Sequence, residues 1–290
     1  MIQAHELEVR GEDGHTWSLA ARIPSNPQTS LLWLPALGVA AKHYLPFADT
    51  LAARGIAVFV HEWRGNGSSN MRADGTRDWG YRELLTADIP ASQAVISDAC
   101  PELPAIIGGH SLGGQLACCR LALSPTSANA LWLVASGSPY WRAFPAPIRY
   151  GLPLVYRFLP WLARRRGALP GRVIGFGGNE ASTLIADWAR TALSGLYAAK
   201  GVTEDLDAAM ARIDVPARAV VLSDDWLAPA SSLQFLLSKL PRAASSTIEL
   251  DTQTLHTTAD HFGWMKHPDV IAAHLTERTS SGTSHPCSMP

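Results

Sequence analysis

The stretch Gly109-His110-Ser111-Leu112-Gly113 constrains this chain more than any other. It fits the pattern G-x-S-x-G. Upstream lies the short apolar run Ala105-Ile106-Ile107, long enough for one strand, and downstream Gln115 to Ala122 reads as a helix. Strand, tight turn and helix in that order make a nucleophile elbow. The serine sits on a strained turn, and its Oγ projects at the carboxyl end of a sheet. Flanking glycines remove the side chains that would collide there. Chance places such a pattern in about one chain of this size in seven, so a bare match is only a hypothesis. The competing reading is a glycine-rich turn with a solvated serine, and the surrounding sequence has to decide.

The surroundings alternate strand and helix. Glu6–Arg10 and Thr16–Ala21 predict a hairpin turned at Glu12-Asp13-Gly14. Leu31–Leu34, Ile56–Val60 and Ala130–Val134 are continuous apolar runs, as expected of strands buried on both faces. Between them, Tyr44, Phe47, Ala48, Leu51 and Ala52 recur at helical spacing, and Asp88 to Asp98 reads as a helix with Pro90 in its first turn. This rhythm predicts an α/β fold: a mostly parallel central sheet with helices on both faces and ligands gathered at the carboxyl ends of the strands. It resumes with a strand at Ala219–Leu222, a helix from Ser231 to Leu240, a strand at Thr247–Leu250 and a closing helix from Pro268 to Leu275.

From Pro139 to about Lys200 the rhythm breaks. This part is rich in proline and tryptophan and helical in pieces, with Leu184 to Tyr197 as its second helical run. We read it as a helical cap inserted over the strand ends, because long insertions there are commonly functional lids. Ordinary peripheral helices are the alternative. Arg164-Arg165-Arg166 reads as a solvated helix end. The domain is expected to span residues 1–278, with a Ser/Thr/Gly/Pro-rich, disordered tail over 279–290.

A serine hydroxyl needs a base to take its proton and a third group to orient that base. On this kind of fold the partners follow in the order serine, acid, histidine, each just past a strand end. After the strand ending at Leu222 comes Ser223-Asp224-Asp225-Trp226-Leu227-Ala228-Pro229, where Asp225 is the expected acid and Asp224 its rival. After the last strand comes Asp260-His261-Phe262-Gly263-Trp264, where His261 is the expected base and His256 the rival. Two backbone N–H groups should face the oxyanion. Leu112 directly follows the serine; the second is Leu37, or Gly38, in the loop Pro35-Ala36-Leu37-Gly38-Val39. Tyr140, Trp141, Trp188 and Trp226, with Phe144 and Trp161, are candidates for an apolar pocket or equally for core packing.

Composition excludes other classes. A net charge of -1 over 290 residues gives no basic face for nucleic acid, and no polybasic run points to an anionic membrane. The N-terminus lacks a basic, apolar leader, and no run of about 18 apolar residues could span a bilayer. Four cysteines, two of them the adjacent Cys118 and Cys119, suggest free buried thiols in a cytoplasmic protein. No cluster has ligand spacing, so neither metal nor cofactor is expected. The sequence leaves the oligomeric state open.

With these residues placed, the chain resembles the α/β-hydrolases, and most closely the serine-hydrolase branch near serine aminopeptidases and monoglyceride lipases. The resemblance rests on Pro35–Val39, Tyr44–Ala48, Leu51–Gly55, Trp63-Arg64-Gly65-Asn66-Gly67-Ser68-Ser69, Gly109–Gln115, Asp225–Pro229 and Asp260–Trp264, and it covers roughly residues 15–275. One departure is Glu62 where relatives carry aspartate ahead of x-Arg; it looks structural. The resemblance implies a serine hydrolase (esterase or lipase-like) acting on a small ester with an apolar acyl part, with amides and thioesters as further candidates. Acyl transfer on the same residues, or ligand binding without turnover, are the other readings. Epoxide hydrolase or dehalogenase chemistry needs a carboxylate at the elbow, where this chain has Ser111.

Overall fold

A computed structural model describes residues 1–277. The tail expected over 279–290, and Cys287 within it, lie outside the described residues. Among the described residues there are ten strands: β1 (Ile2–Arg10), β2 (Thr16–Pro24), β3 (Thr29–Leu34), β4 (Ile56–Val60), β5 (Ala105–His110), β6 (Ala130–Val134), β7 (Ala168–Pro170), β8 (Asn179–Ala181), β9 (Ala217–Leu222) and β10 (Ser245–Leu250). Eight of them form one sheet in the order β1-β2-β4-β3-β5-β6-β9-β10. The β1–β2 and β2–β4 pairs are antiparallel and the rest are parallel. This is the mostly parallel sheet of an α/β-hydrolase fold.

The burial explains the sequence patterns. β4 is buried at every residue, and β3 at all but its first. Each therefore reads as a continuous apolar run rather than an alternation. One face of the sheet carries an aromatic cluster. Trp33 meets Phe47 at 4.8 Å between ring centroids, and Phe47 meets Trp264 edge-on at 5.3 Å. The other face packs against the helix that follows β5, Leu112–Leu123, in which Cys118 and Cys119 are fully buried free thiols. Burial pushes the Cys118 thiol up to about 12, which keeps it protonated and inert.

Between β6 and β9 the chain leaves the sheet. A 19-residue helix, Ile148–Arg166, is followed by the antiparallel β7–β8 ribbon and a second helix, Ser182–Ser194. The first helix is continuous although it contains Pro153 and Pro160; Pro160 turns inward and is buried. The second stops at Ser194 and not at Tyr197, because Gly195 adopts a left-handed C-cap (φ 77°). The helix before β5 runs Ile89–Ala99, entered through one wide helical turn at Leu84–Asp88.

A buried charged network ties the N-terminal hairpin to the sheet. Arg64, just past β4, donates Nε to Asp88 Oδ2 at 2.6 Å, one terminal nitrogen to Asp88 Oδ1 at 2.7 Å, and the other to Asp13 Oδ2 at 2.6 Å. The His15 ring bridges Asp88 Oδ1 (3.3 Å) and the Ser69 hydroxyl (3.0 Å). Glu62 is also structural: its buried carboxylate accepts the Ala41 and Ser68 backbone N–H groups. Burial raises the Asp88 carboxyl, but hydrogen bonds from His15 and Arg64 and the guanidinium charge outweigh it and leave the group below the usual carboxylate range.

Arg64→Met removes the cation and strands a buried carboxylate, so unfolding free energy in urea should fall by about 3–5 kcal/mol at neutral pH. Asp88 has a folded pKa below its unfolded value of about 3.9. Its contribution is therefore complete above that value and is lost as pH falls through the folded pKa. The wild type should lose stability steeply in that acid window, while the variant's slope there flattens. Parallel slopes would separate the acid sensitivity from this pair.

Candidate active site

Ser111 occupies the turn between β5 and its following helix with φ 54° and ψ -119°, a conformation that L residues rarely adopt. The turn is held from both sides. The Ser111 N–H donates to the Val134 carbonyl at 3.2 Å, and the Ser136 hydroxyl donates to the Ser111 carbonyl at 2.6 Å. Its glycines are a matter of space. A Cβ on Gly113 would run into the carbonyl oxygen of Leu34, and one on Gly109 into the backbone of Gly113. Leu112 is the first helical residue, so its N–H has no intrahelical partner.

Ser111 and His261 line one cavity of about 250 Å³ at the carboxyl ends of the strands. His261 Nδ1 lies 2.7 Å from Asp225 Oδ2, and both side chains are buried. Asp225 Oδ1 accepts the Leu227 and Ala228 N–H groups at 2.9 and 3.0 Å, which pins the carboxylate. A carboxylate only accepts, so His261 Nδ1 donates to Asp225 and leaves Nε2 as the other ring nitrogen. The rivals are placed elsewhere. Asp224 accepts the Thr252 hydroxyl at 3.0 Å and braces the loop that carries the histidine. His256 is exposed, at the left-handed end of the short helix Thr252–Leu255.

Leu37 lines the same cavity, and a group the sequence did not single out braces its loop. The Ala36 N–H donates to the Tyr44 hydroxyl at 2.9 Å, and that hydroxyl lies 2.9 Å from His110 Nδ1. Burial raises the Tyr44 hydroxyl and holds His110 well below its ordinary value, so both are uncharged. The hydroxyl thus accepts from Ala36 and is hydrogen-bonded to His110 Nδ1, which ties the loop to the residue before Ser111. Tyr44 had looked like one more apolar-face residue of a helix; only the fold brings its hydroxyl under the loop. On the other side, Gly38 has φ 74°, and a Cβ there would collide with Gly177 and Gly178 of the insertion. Buried Glu180 keeps that strap in place through the Gly178 N–H at 2.7 Å, and burial pushes its carboxyl up to about 7.

The insertion supplies much of the cavity wall, including Phe144, Leu152, Tyr156, Phe176 and Trp188, and Trp226 stands at the exposed rim. Trp188 and Trp226 are thus brought to the cavity. Tyr140 and Trp141 are not. Tyr140 packs against the Phe235 ring at 4.9 Å and under Gly195, away from Ser111, and Trp141 stacks beneath the Arg142 guanidinium. Trp161 faces outward. Phe176 and Gln115, which also line the cavity, carry no local pattern that marks them out. Asp, Glu, Lys and Arg are absent from the wall among the described residues, while His261 and Tyr156 are part of it.

Comparison with known proteins agrees with this architecture. A search of curated proteins finds no significant match. Among solved structures, a thioesterase domain from the curacin biosynthetic pathway is 19% identical with a TM-score of 0.58, covering 96% of this chain and 100% of that one. A hydrolase from Pseudomonas aeruginosa is 17% identical at 0.59, over 93% and 97% of the two chains. An esterase from Pyrococcus furiosus is 16% identical at 0.54, over 86% and 84%. At these identities the likeness is one of fold. The model of the family described as serine aminopeptidase, S33, matches residues 25–260, well over half the chain. The chain therefore belongs to that family, a group of hydrolases on the α/β-hydrolase fold.

Proposed function

We propose that the protein is a serine hydrolase that cleaves a small carboxylic ester with an uncharged, apolar acyl group through an acyl-enzyme. The hydrogen bond between Asp225 and His261, at the wall of a cavity that also holds Ser111, carries this reading. His261 Nε2 takes the Ser111 proton as Oγ attacks the ester carbonyl carbon. The negative oxygen that forms is met by the Leu112 and Leu37 N–H groups, each worth about 3 kcal/mol to the transition state. His261 then returns the proton to the departing alcohol. A water molecule repeats the sequence on the acylated serine and releases the acid. Asp225 holds the imidazole orientation and stabilises its positive form.

Two features of the wall support an ester over an aminopeptide. Among the described residues no carboxylate lines the cavity, so the α-ammonium group of a peptide would be desolvated without a counter-charge. Aromatic and aliphatic side chains from the insertion instead offer apolar burial. In this reading the insertion acts as a cap that shapes the acyl site.

A fluorophosphonate probe should label the wild type and not Ser111→Ala; labelling that persists in the variant overturns Ser111 as nucleophile. Asp225→Asn should lower kcat on the order of 10³–10⁴-fold, as expected when the imidazole loses its fixed tautomer. Asp224→Asn should change kcat only a few-fold, and the reverse ranking would exchange the two roles. A cavity of about 250 Å³ walled by aromatic and aliphatic side chains accommodates an apolar chain of limited length. Activity on p-nitrophenyl esters should therefore rise from acetate to a medium-length chain and fall for long ones. A flat profile would argue against an acyl site of this size.

A further inference from the structure

The helix Ile148–Arg166 has two apolar faces. Leu152, Tyr156, Leu159 and Ala163 recur at helical spacing and turn inward. Tyr150, Leu154, Phe158 and Trp161 recur on the opposite side, 63%, 72%, 51% and 47% exposed. A surface helix normally carries charged or polar residues there. Leu154 alone would need no explanation, but four large side chains on one stripe do. Val155 belongs to both sides: it is exposed, and it lines the cavity that holds Ser111.

The same region has an unusual charge. Between Ser138 and Asn179 the chain carries seven arginines and no Asp, Glu or Lys, while the whole chain is at -1. Among the described residues, none of these arginines pairs with a carboxylate. Several flank the apolar stripe instead. Arg165 lies 5.7 Å from the Trp161 ring centroid, Arg149 lies 5.0 Å from that of Tyr150, and Arg157 reaches back to the Pro153 carbonyl. In sequence only Arg164-Arg165-Arg166 stand together; Arg149 and Arg157 lie further back along the same helix, beside Tyr150 and Phe158.

From this surface we infer that the outer face of the insertion docks on an anionic lipid bilayer. Aromatic and aliphatic side chains sink into the headgroup–acyl boundary while arginines meet lipid phosphates. Charge complementarity selects this occupant. A second copy of the chain would bring two sets of unpaired arginines together, and a nucleic acid offers nothing for an exposed Leu154. Docked this way, Val155 links the bilayer side of the helix to the cavity wall.

The test uses Ser111→Ala protein, so that the outcome does not depend on the catalytic reading, and vesicle flotation as readout. The protein should float with vesicles of equal parts phosphatidylcholine and phosphatidylglycerol, not with phosphatidylcholine alone, and rising salt should release it. Arg157→Gln and Arg165→Gln should each weaken binding about fivefold, and Phe158→Ser about tenfold or more. These side chains are exposed, so thermal midpoints should stay within a few degrees of the parent, which separates lost binding from lost fold. No flotation, equal flotation on both lipids, or a dimer in gel filtration that Phe158→Ser abolishes would overturn the proposal.

Discussion

Ser111 is held in a backbone conformation that an L residue adopts only under constraint, at a cost of about 1–3 kcal/mol. Everything around the cavity is arranged so that this conformation has no cheaper alternative. β5 runs between β3 and β6 and cannot shift without breaking both ladders. Its following helix is pressed so close to the end of β3 that residue 113 has no room for a side chain. Relaxing the serine would mean moving the helix or the strand, and each is buried over most of its length. The strain is thus stabilised by the packing of the whole sheet, and the serine Oγ inherits its position from it.

A fixed serine is useful only if the other groups arrive from independent elements at matching positions. The parallel order does this, because β3, β5, β9 and β10 all end on one edge. The loop after β3 brings Leu37, the loop after β9 brings Asp225, and the loop after β10 brings His261. Each loop then has its own brace: Tyr44 under Ala36, the Leu227 and Ala228 amides on Asp225, and Asp224 against Thr252. The two adjacent aspartates show how narrow the division is. One faces inward to the imidazole, and its neighbour holds the backbone that carries that imidazole.

The sheet, the elbow and the Asp225–His261 pair were legible because each has a rule linking residue order to place. Buried parallel strands read as apolar runs, and the chain order of acid and histidine past strand ends leaves few candidates. The cavity wall was less legible. Phe176 lines it and Tyr140 does not, although both sit in the same aromatic-rich insertion and no period distinguishes them. Gly195 ends a helix whose apolar pattern continues to Tyr197, so a backbone choice overrides the periodic signal. Tyr44 and His110 were unreadable for another reason. Their value lies in one hydroxyl and one ring nitrogen, and an apolar-spacing argument treats both rings as filling.

The Ile148–Arg166 helix explains why substrate choice is harder to read than the breaking of the bond. A helix apolar on one face records where the core is. This one is apolar on two, so its sequence cannot say which face turns inward until the sheet is in place. Once it is, the inner face becomes cavity wall and the outer face becomes surface, with Val155 at the junction. A substitution on this helix can therefore change either what fits beside Ser111 or what the protein meets outside, without touching the residues that hold the strained turn. The separation is physical: the groups around Ser111 are set by strand ends, whereas this helix contributes Leu152, Val155 and Tyr156 to the wall beside them.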